Sequence, residues 1–244
     1  MFEDNMPVKQ PPGNMLHIVI ILLAVNLIGL ILGKSSSFFM SLMDFFTVST
    51  AESQVIFFFI ASIVQAALFI GLSIYFAAQK AGNPYGSLGL SIDNLKKNIS
   101  LGIVGGIGLF SLVVGTGIIV SIFFPIEVEP QPFAQLLMDA EGTILTMLLV
   151  VMGSVLAPLG EEIFFRGFVY SILRHRLGIK FGIILSSIIF AGLHFDFIRL
   201  IPIAVGGIGL AILYERSGSL ITPIIAHSVW NSIMTMMIIF VGIT

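Results

Sequence analysis

Apolar runs long enough to cross a lipid bilayer make up most of this chain, and they restrict its fold more than any other feature. A crossing helix needs about 20 consecutive, mostly apolar residues. Residues 16–33, 55–78 and 99–124 form three such runs. A long run from Thr143 to about Arg174 follows, then Phe181 to His194, residues 198–214, and a last one from Leu220 to about Val241. In hydrocarbon each backbone N–H and C=O must find its partner within the segment, so runs of this length are helices. With 57% hydrophobic and 10% charged residues and a mean hydropathy of +1.09, an ordinary soluble domain is excluded. The expected fold is all-α: a polytopic transmembrane helical bundle forming a single membrane domain over residues 1–244. Seven crossings are expected, with residues 38–48 as a separate short interfacial or re-entrant helix. An eighth follows if residues 36–54, or the run from 143 to 174, are divided differently.

Charge between the runs orients them. Lys80, Lys96 and Lys97 share a loop with Asp93, the sequence from Arg174 through His175 and Arg176 to Lys180 makes a basic turn, and Arg216 follows Glu215 in another. Short loops rich in Lys and Arg face the cytoplasm. The loop holding Glu127, Glu129, Asp139 and Glu141 has no cation and suits the outer face. This pattern puts the N-terminus in the cytoplasm. The acidic start Met1-Phe2-Glu3-Asp4-Asn5, followed by Pro11-Pro12-Gly13, lacks the basic lead-in of a cleavable signal, so the first run is read as a retained span. Asp44 and Glu52 read as solvated, His17 as an interfacial residue and His175 as an exposed one. A net charge of -2 offers no basic surface for nucleic acid, so the partners expected are the bilayer and a peptide or lipidated protein substrate. The absence of cysteine removes disulfides, thiolate catalysis and cysteine metal sites.

The polar residues inside the runs demand a reason, because an ionised group at bilayer depth costs about 2.5–3.5 kcal/mol on insertion scales. Glu161, Glu162 and Arg166 interrupt one run, His194 ends the next, and His227 and Asn231 lie in the last. Glu162 and Arg166 stand at i and i+4, which stacks them on one helix face as a structural ion pair. Glu161 is turned about 100° away and is left as the working carboxylate. His227 and Asn231 are also four apart and present two donors on one face, an arrangement suited to a developing oxyanion. Pro158, between Gly153 and Gly160, breaks a run that would otherwise be about 48 Å of helix. Glu161 and His194 are nearly equidistant from the turn at Arg174–Lys180, about 20 Å along two antiparallel helices. The three groups are therefore expected to share one intramembrane cavity, open to the cytoplasm. Spacing alone leaves catalysis and a transport or ion-coupling site equally open.

The ordered set Glu161-Glu162-x-x-x-Arg166, Phe190-x-x-x-His194 and His227-x-x-x-Asn231 resembles the CPBP (Abi) family of intramembrane proteases, which includes the type II CAAX prenyl endopeptidases. The resemblance covers about residues 143–235. It implies an endopeptidase, possessing a membrane-embedded site, that cuts a membrane-associated peptide, prenylated in the CAAX case, or a small peptide. Glu161 and His194 would activate a water, His227 and Asn231 would stabilise the oxyanion, and Glu162 and Arg166 would support them. The family name of metalloprotease adds a zinc option, for which Glu161, His194 and His227 would be the ligands. One element departs from the family: Ile203 stands where an aromatic residue is expected before Gly206, which alters the cavity wall. The competing class is a non-enzymatic membrane protein, either a bacteriocin immunity factor or a proton-coupled carrier.

Overall fold

A computed structural model describes residues 10–80, 82–125 and 130–241; the acidic N-terminal residues, Glu127 and Glu129 lie outside this set. The described residues are helical throughout, without a strand. Helices α1 (Met15–Phe45) and α2 (Thr50–Lys80) form an antiparallel pair, and a short α3 (Pro84–Leu88) leads to α4 (Leu95–Phe123). After α5 (Pro132–Asp139), α6 (Thr143–Val151) begins a long rod. This rod passes through a π-helical stretch (Met152–Leu156), α7 (Ala157–Glu162), a second π-helical stretch (Ile163–Tyr170) and α8 (Ser171–Gly192). Helices α9 (Leu200–Ser217) and α10 (Ile221–Val241) complete the bundle. Among the described residues six helical stretches are long and apolar enough to cross a membrane. One of them, Thr143–Gly192, is bent back at Gly178, whose φ of 80° breaks the helix. A Cβ on Gly182 would lie 2.9 Å from the Arg174 nitrogen, so the chain doubles back there as a hairpin. Counting both arms gives seven rods of an integral, multi-pass membrane protein.

The expected split of the first run does not occur: α1 is continuous through residues 38–48. Nothing in this segment breaks a helix. Ser35 and Ser36 return their hydroxyls to the Leu32 and Gly33 carbonyls, at 2.9 and 2.7 Å, so they need no outside partner. The helix ends at Phe46, and Thr47 turns the chain with a φ of 60°. Glu52 is exposed as expected, and it closes a capping box with Ser49 at the start of α2.

Close packing fixes the helices that carry the polar groups. A Cβ on Gly102 would lie 2.9 Å from the Thr222 carbonyl, and one on Gly106 would lie 2.6 Å from the Ala226 carbonyl. Helices α4 and α10 therefore meet backbone to backbone, as small residues at i and i+4 allow. Gly160 makes the same approach to Ala66 of α2, where a Cβ would come within 2.9 Å of its Cα. Phe164 and Phe168 are fully buried, and Phe164 stacks on Phe69 at 4.6 Å. Lipid is as apolar as phenylalanine, so such contacts act through shape and dispersion.

At one end of the bundle a packed layer holds the helices together. Glu215 is buried and accepts hydrogen bonds from Tyr170 Oη at 2.5 Å and Arg174 Nε at 2.9 Å. Tyr214 donates to the Leu88 carbonyl at 3.1 Å, and Leu220 N–H to that of Gly89 at 2.9 Å. This end also carries Lys80, Lys96, Lys97, Arg176, Lys180 and Arg216. The opposite end carries the α1–α2 turn, α5 and the loop from Leu193 to Arg199.

Candidate active site

The break in the long rod begins before the proline. Ala157 N–H donates five residues back, to the Met152 carbonyl, which widens the turn to π geometry. The Gly153 carbonyl is thereby orphaned, since its α-helical donor would be Ala157 and its π-helical donor Pro158, which has no N–H. Asn231 of α10 takes up this oxygen, donating from Nδ2 at 2.9 Å. A side chain singled out as an oxyanion donor thus also fastens α10 to the break that presents Glu161.

The first polar cluster is buried. Arg166 Nη1 donates to Glu162 Oε1 at 2.7 Å, with the two side chains 1% and 0% exposed, which bears out the ion pair read from their spacing. Arg166 Nη2 donates to the Gly207 carbonyl of α9 at 3.2 Å, and its guanidinium lies 4.5 Å from the centre of the Phe190 ring. His227 Nδ1 meets the same Glu162 oxygen at 2.8 Å. This link joins residues 65 positions apart, and the sequence reading missed it. Its signal was present in retrospect: an intramembrane imidazole needs a fixed partner. The second Glu162 oxygen is buried without a hydrogen-bond partner.

Glu161 faces the other way, as the sequence reading expects, with its side chain 19% exposed. Its Oε2 lies 4.0 Å from His227 Nε2. That is too long for a hydrogen bond and leaves the two groups as opposed walls of one space. His227 therefore has its Nδ1 engaged by one glutamate while Nε2 faces the other. The imidazole stacks on Trp230 at 5.3 Å and meets the edge of Phe190 at 5.9 Å. Phe190 also touches the ring of His194 at 4.9 Å. His194 Nδ1 bonds to the Phe190 carbonyl at 2.9 Å, which directs Nε2 away from its own helix.

Glu161, His194, His227 and Asn231 all line one cavity of about 630 Å³. Ile203 lines it too, as the wall expected to differ. The aromatic surface there comes from Trp230, which sits so close over Gly206 that a Cβ would be 2.6 Å from its ring. The cavity reaches from His227 to Gln131 and Arg199, at the end of the bundle away from the Lys- and Arg-bearing turns. This corrects the expectation that it opens toward those turns. The spacing already contained the reason: about 20 Å from one surface of a core about 30 Å thick is nearer to the other surface.

Asp196 belongs to that far rim and anchors it. It accepts Arg199 N–H at 2.9 Å, Arg199 Nη1 at 2.7 Å and Gln131 Nε2 at 3.2 Å, tying the loop before α9 to the start of α5. Burial pushes its pKa up, but the bonds from Arg199 and Gln131 and the Arg199 charge outweigh this and hold the carboxyl below its ordinary value. His17 lies apart from the site at the start of α1, stacked on Phe76 at 4.2 Å. His175 is exposed beside the hairpin bend.

Zinc would need three or more donors gathered around one point. Among the described residues no three His, Asp or Glu side chains are so gathered, and Glu161, His194 and His227 do not form such a set. The two Nδ1 atoms are already engaged. As they are arranged here, these residues do not fit a closed metal site.

Residues 143–233 match the family model described as Rce1-like, type II CAAX prenyl endopeptidase. A protein of Bacillus subtilis (strain 168) named "Putative membrane peptidase YdiL" is 31% identical over 90 residues, which are 37% of this chain and 37% of that relative. The shared region is thus little more than a third of either protein, and it is the region that builds the cavity. No solved structure matches the chain.

Proposed function

Because residues 143–233 carry the motif region of the CPBP-type, Rce1-like membrane proteases, we propose that this protein is an intramembrane endopeptidase acting on a membrane-associated or small peptide. The observation that carries the reading is the opposition of Glu161 and His227 across a 4.0 Å gap in a cavity that His194 and Asn231 also line. Glu161, with His194, takes a proton from a water as its oxygen attacks the peptide carbonyl carbon. The carbonyl π electrons move onto oxygen, and the oxyanion is held by His227 Nε2–H and the Asn231 amide. The C–N bond then breaks, and the proton held by Glu161 passes to the leaving amine. With His227 doubly protonated, Glu161, Glu162, Arg166 and His227 sum to zero charge, which suits a site in a low-dielectric surround. Each step uses groups of this chain.

Whether the peptide is prenylated is part of the proposal's test. Purified protein in liposomes is given candidate peptides, with and without a prenyl group, and the products are read by mass spectrometry. Cleavage by the native chain and its loss in Glu161→Gln and in His194→Ala support the reading. Unchanged release in both variants overturns it. A proton-dependent flux that needs Glu161, with no product peptide, would favour the carrier instead.

A further inference from the structure

We infer that the site serves the extracytoplasmic face of the membrane, so that its substrate is a peptide presented at the outer surface rather than a lipidated tail offered from the cytoplasm; this rests on the protease reading above. Two observations point in the same direction. The first is charge. Lys80, Lys96, Lys97, Arg174, Arg176, Lys180 and Arg216 all lie at one end of the bundle. The described cations outside the site at the other half are Lys34 and Arg199, beside Asp44, Glu52, Asp139, Glu141 and Asp196. Short basic turns stay in the cytoplasm. The second is access. At the basic end the packed layer of Tyr170, Tyr214, Leu88 and Leu220 is at most 1% exposed, bolted by the Arg174–Glu215 pair. None of these residues borders the cavity.

The cavity begins where that layer stops. His227 is six residues into α10, about 9 Å from its start, and the α10 wall continues through Asn231 and Thr235 to Ile238, about 26 Å along. At the far rim stand Gln131 and Arg199, both held by Asp196. A peptide entering from the basic end would have to separate Arg174 and Tyr170 from Glu215. One entering from the other end meets a space already formed, with amide and guanidinium groups at its edge. The substrate that fits is an extended peptide segment at the outer surface, such as the outward stub of a membrane-inserted peptide.

The absence of native cysteine allows a direct test on the full chain. Single variants Glu141→Cys at the far end, Leu177→Cys in the basic turn, and Ser62→Cys and Met234→Cys inside the cavity are exposed to a charged, membrane-impermeant maleimide. Labelling is compared in intact cells, permeabilised cells and inside-out vesicles, after a melting curve has checked each variant's fold. The expected result is full labelling of Glu141→Cys, and of at least one cavity variant, in intact cells, with Leu177→Cys labelled only after permeabilisation or in inside-out vesicles. Labelling of Leu177→Cys in intact cells overturns the orientation. Labelling of both cavity variants only from inside-out vesicles, or from neither side, overturns the outward opening. No readout here depends on cleavage, so the protease reading fails separately, through unchanged peptide release by Glu161→Gln.

Discussion

Glu162 and His227 meet at 2.8 Å through a single carboxylate oxygen, Oε1, which Arg166 also engages at 2.7 Å. One buried atom therefore both neutralises a guanidinium and sets which imidazole nitrogen faces the cavity. This coupling of support to chemistry has testable consequences.

Glu162→Ala leaves Arg166 buried without its counter-charge. Breaking a buried pair by removing one partner costs about 3–5 kcal/mol, whereas replacing both partners with well-packed apolar residues is often neutral. The double variant Glu162→Met with Arg166→Met is therefore expected to recover most of the melting temperature lost by Glu162→Ala. Peptide release should nevertheless stay low in both, because His227 Nδ1 has lost its acceptor. Melting curves and cleavage rates measured in one detergent check the split.

Asn231→Ala should destabilise the protein by about 1–3 kcal/mol, the cost of a buried carbonyl left unpaired. It should also lower the cleavage rate. If melting is unchanged, the Gly153 carbonyl has another donor and Asn231 does not fasten the break.

Gly106→Leu is expected to push α10 off α4, since even a Cβ would lie 2.6 Å from the Ala226 carbonyl. The displacement should reach His227 and abolish cleavage together with the cooperative melt. Gly108→Leu, two residues on, meets nothing within 4 Å and should melt as the native chain does.

The rim should respond to acid. Asp196 is held below its ordinary pKa, so its contribution to stability is fully present above about pH 4, the unfolded value, and is lost as pH falls through the lower folded value. Asp196→Asn is expected to melt below the native chain at pH 7, and the gap should narrow as the pH drops under 4. A gap that stays constant with pH would remove the carboxylate from the account.

Removal of metal offers a further check. With no gathered set of three donors in the described residues, cleavage is expected to continue after chelation, and purified protein should carry less than one zinc per chain. Loss of activity that added zinc restores would show that the ligands rearrange on binding.

Much of the bundle was legible because lipid leaves the backbone few choices. The apolar runs set the helices, the Arg174–Lys180 turn set a hairpin, and the four-residue spacing set the Glu162–Arg166 pair. Glycines recurring at 102 and 106 announced a close helix contact, without naming α10 as its partner. The continuous α1 was hidden because a short apolar stretch after Lys34 and three serines looks like a separate element, although hydroxyls can bond within a helix. The Glu162–His227 link was hidden because helical periodicity relates near neighbours and carries nothing across 65 positions. Cavity direction needed only the depth of Glu161 compared with the membrane thickness, a comparison obscured by attention to the nearest turn.

The π-helical stretch at Met152–Leu156 behaves as one residue added to an ordinary helix. Deleting a single residue there would let α6 and α7 join in unbroken register and would rotate everything after it by about 100° relative to α6. Glu161 would be swung off the cavity, with Glu162, Arg166 and every other side chain chemically intact. The reactivity of this carboxylate is therefore stored partly in a count of residues, and a shortening too slight to disturb hydropathy or length would silence it.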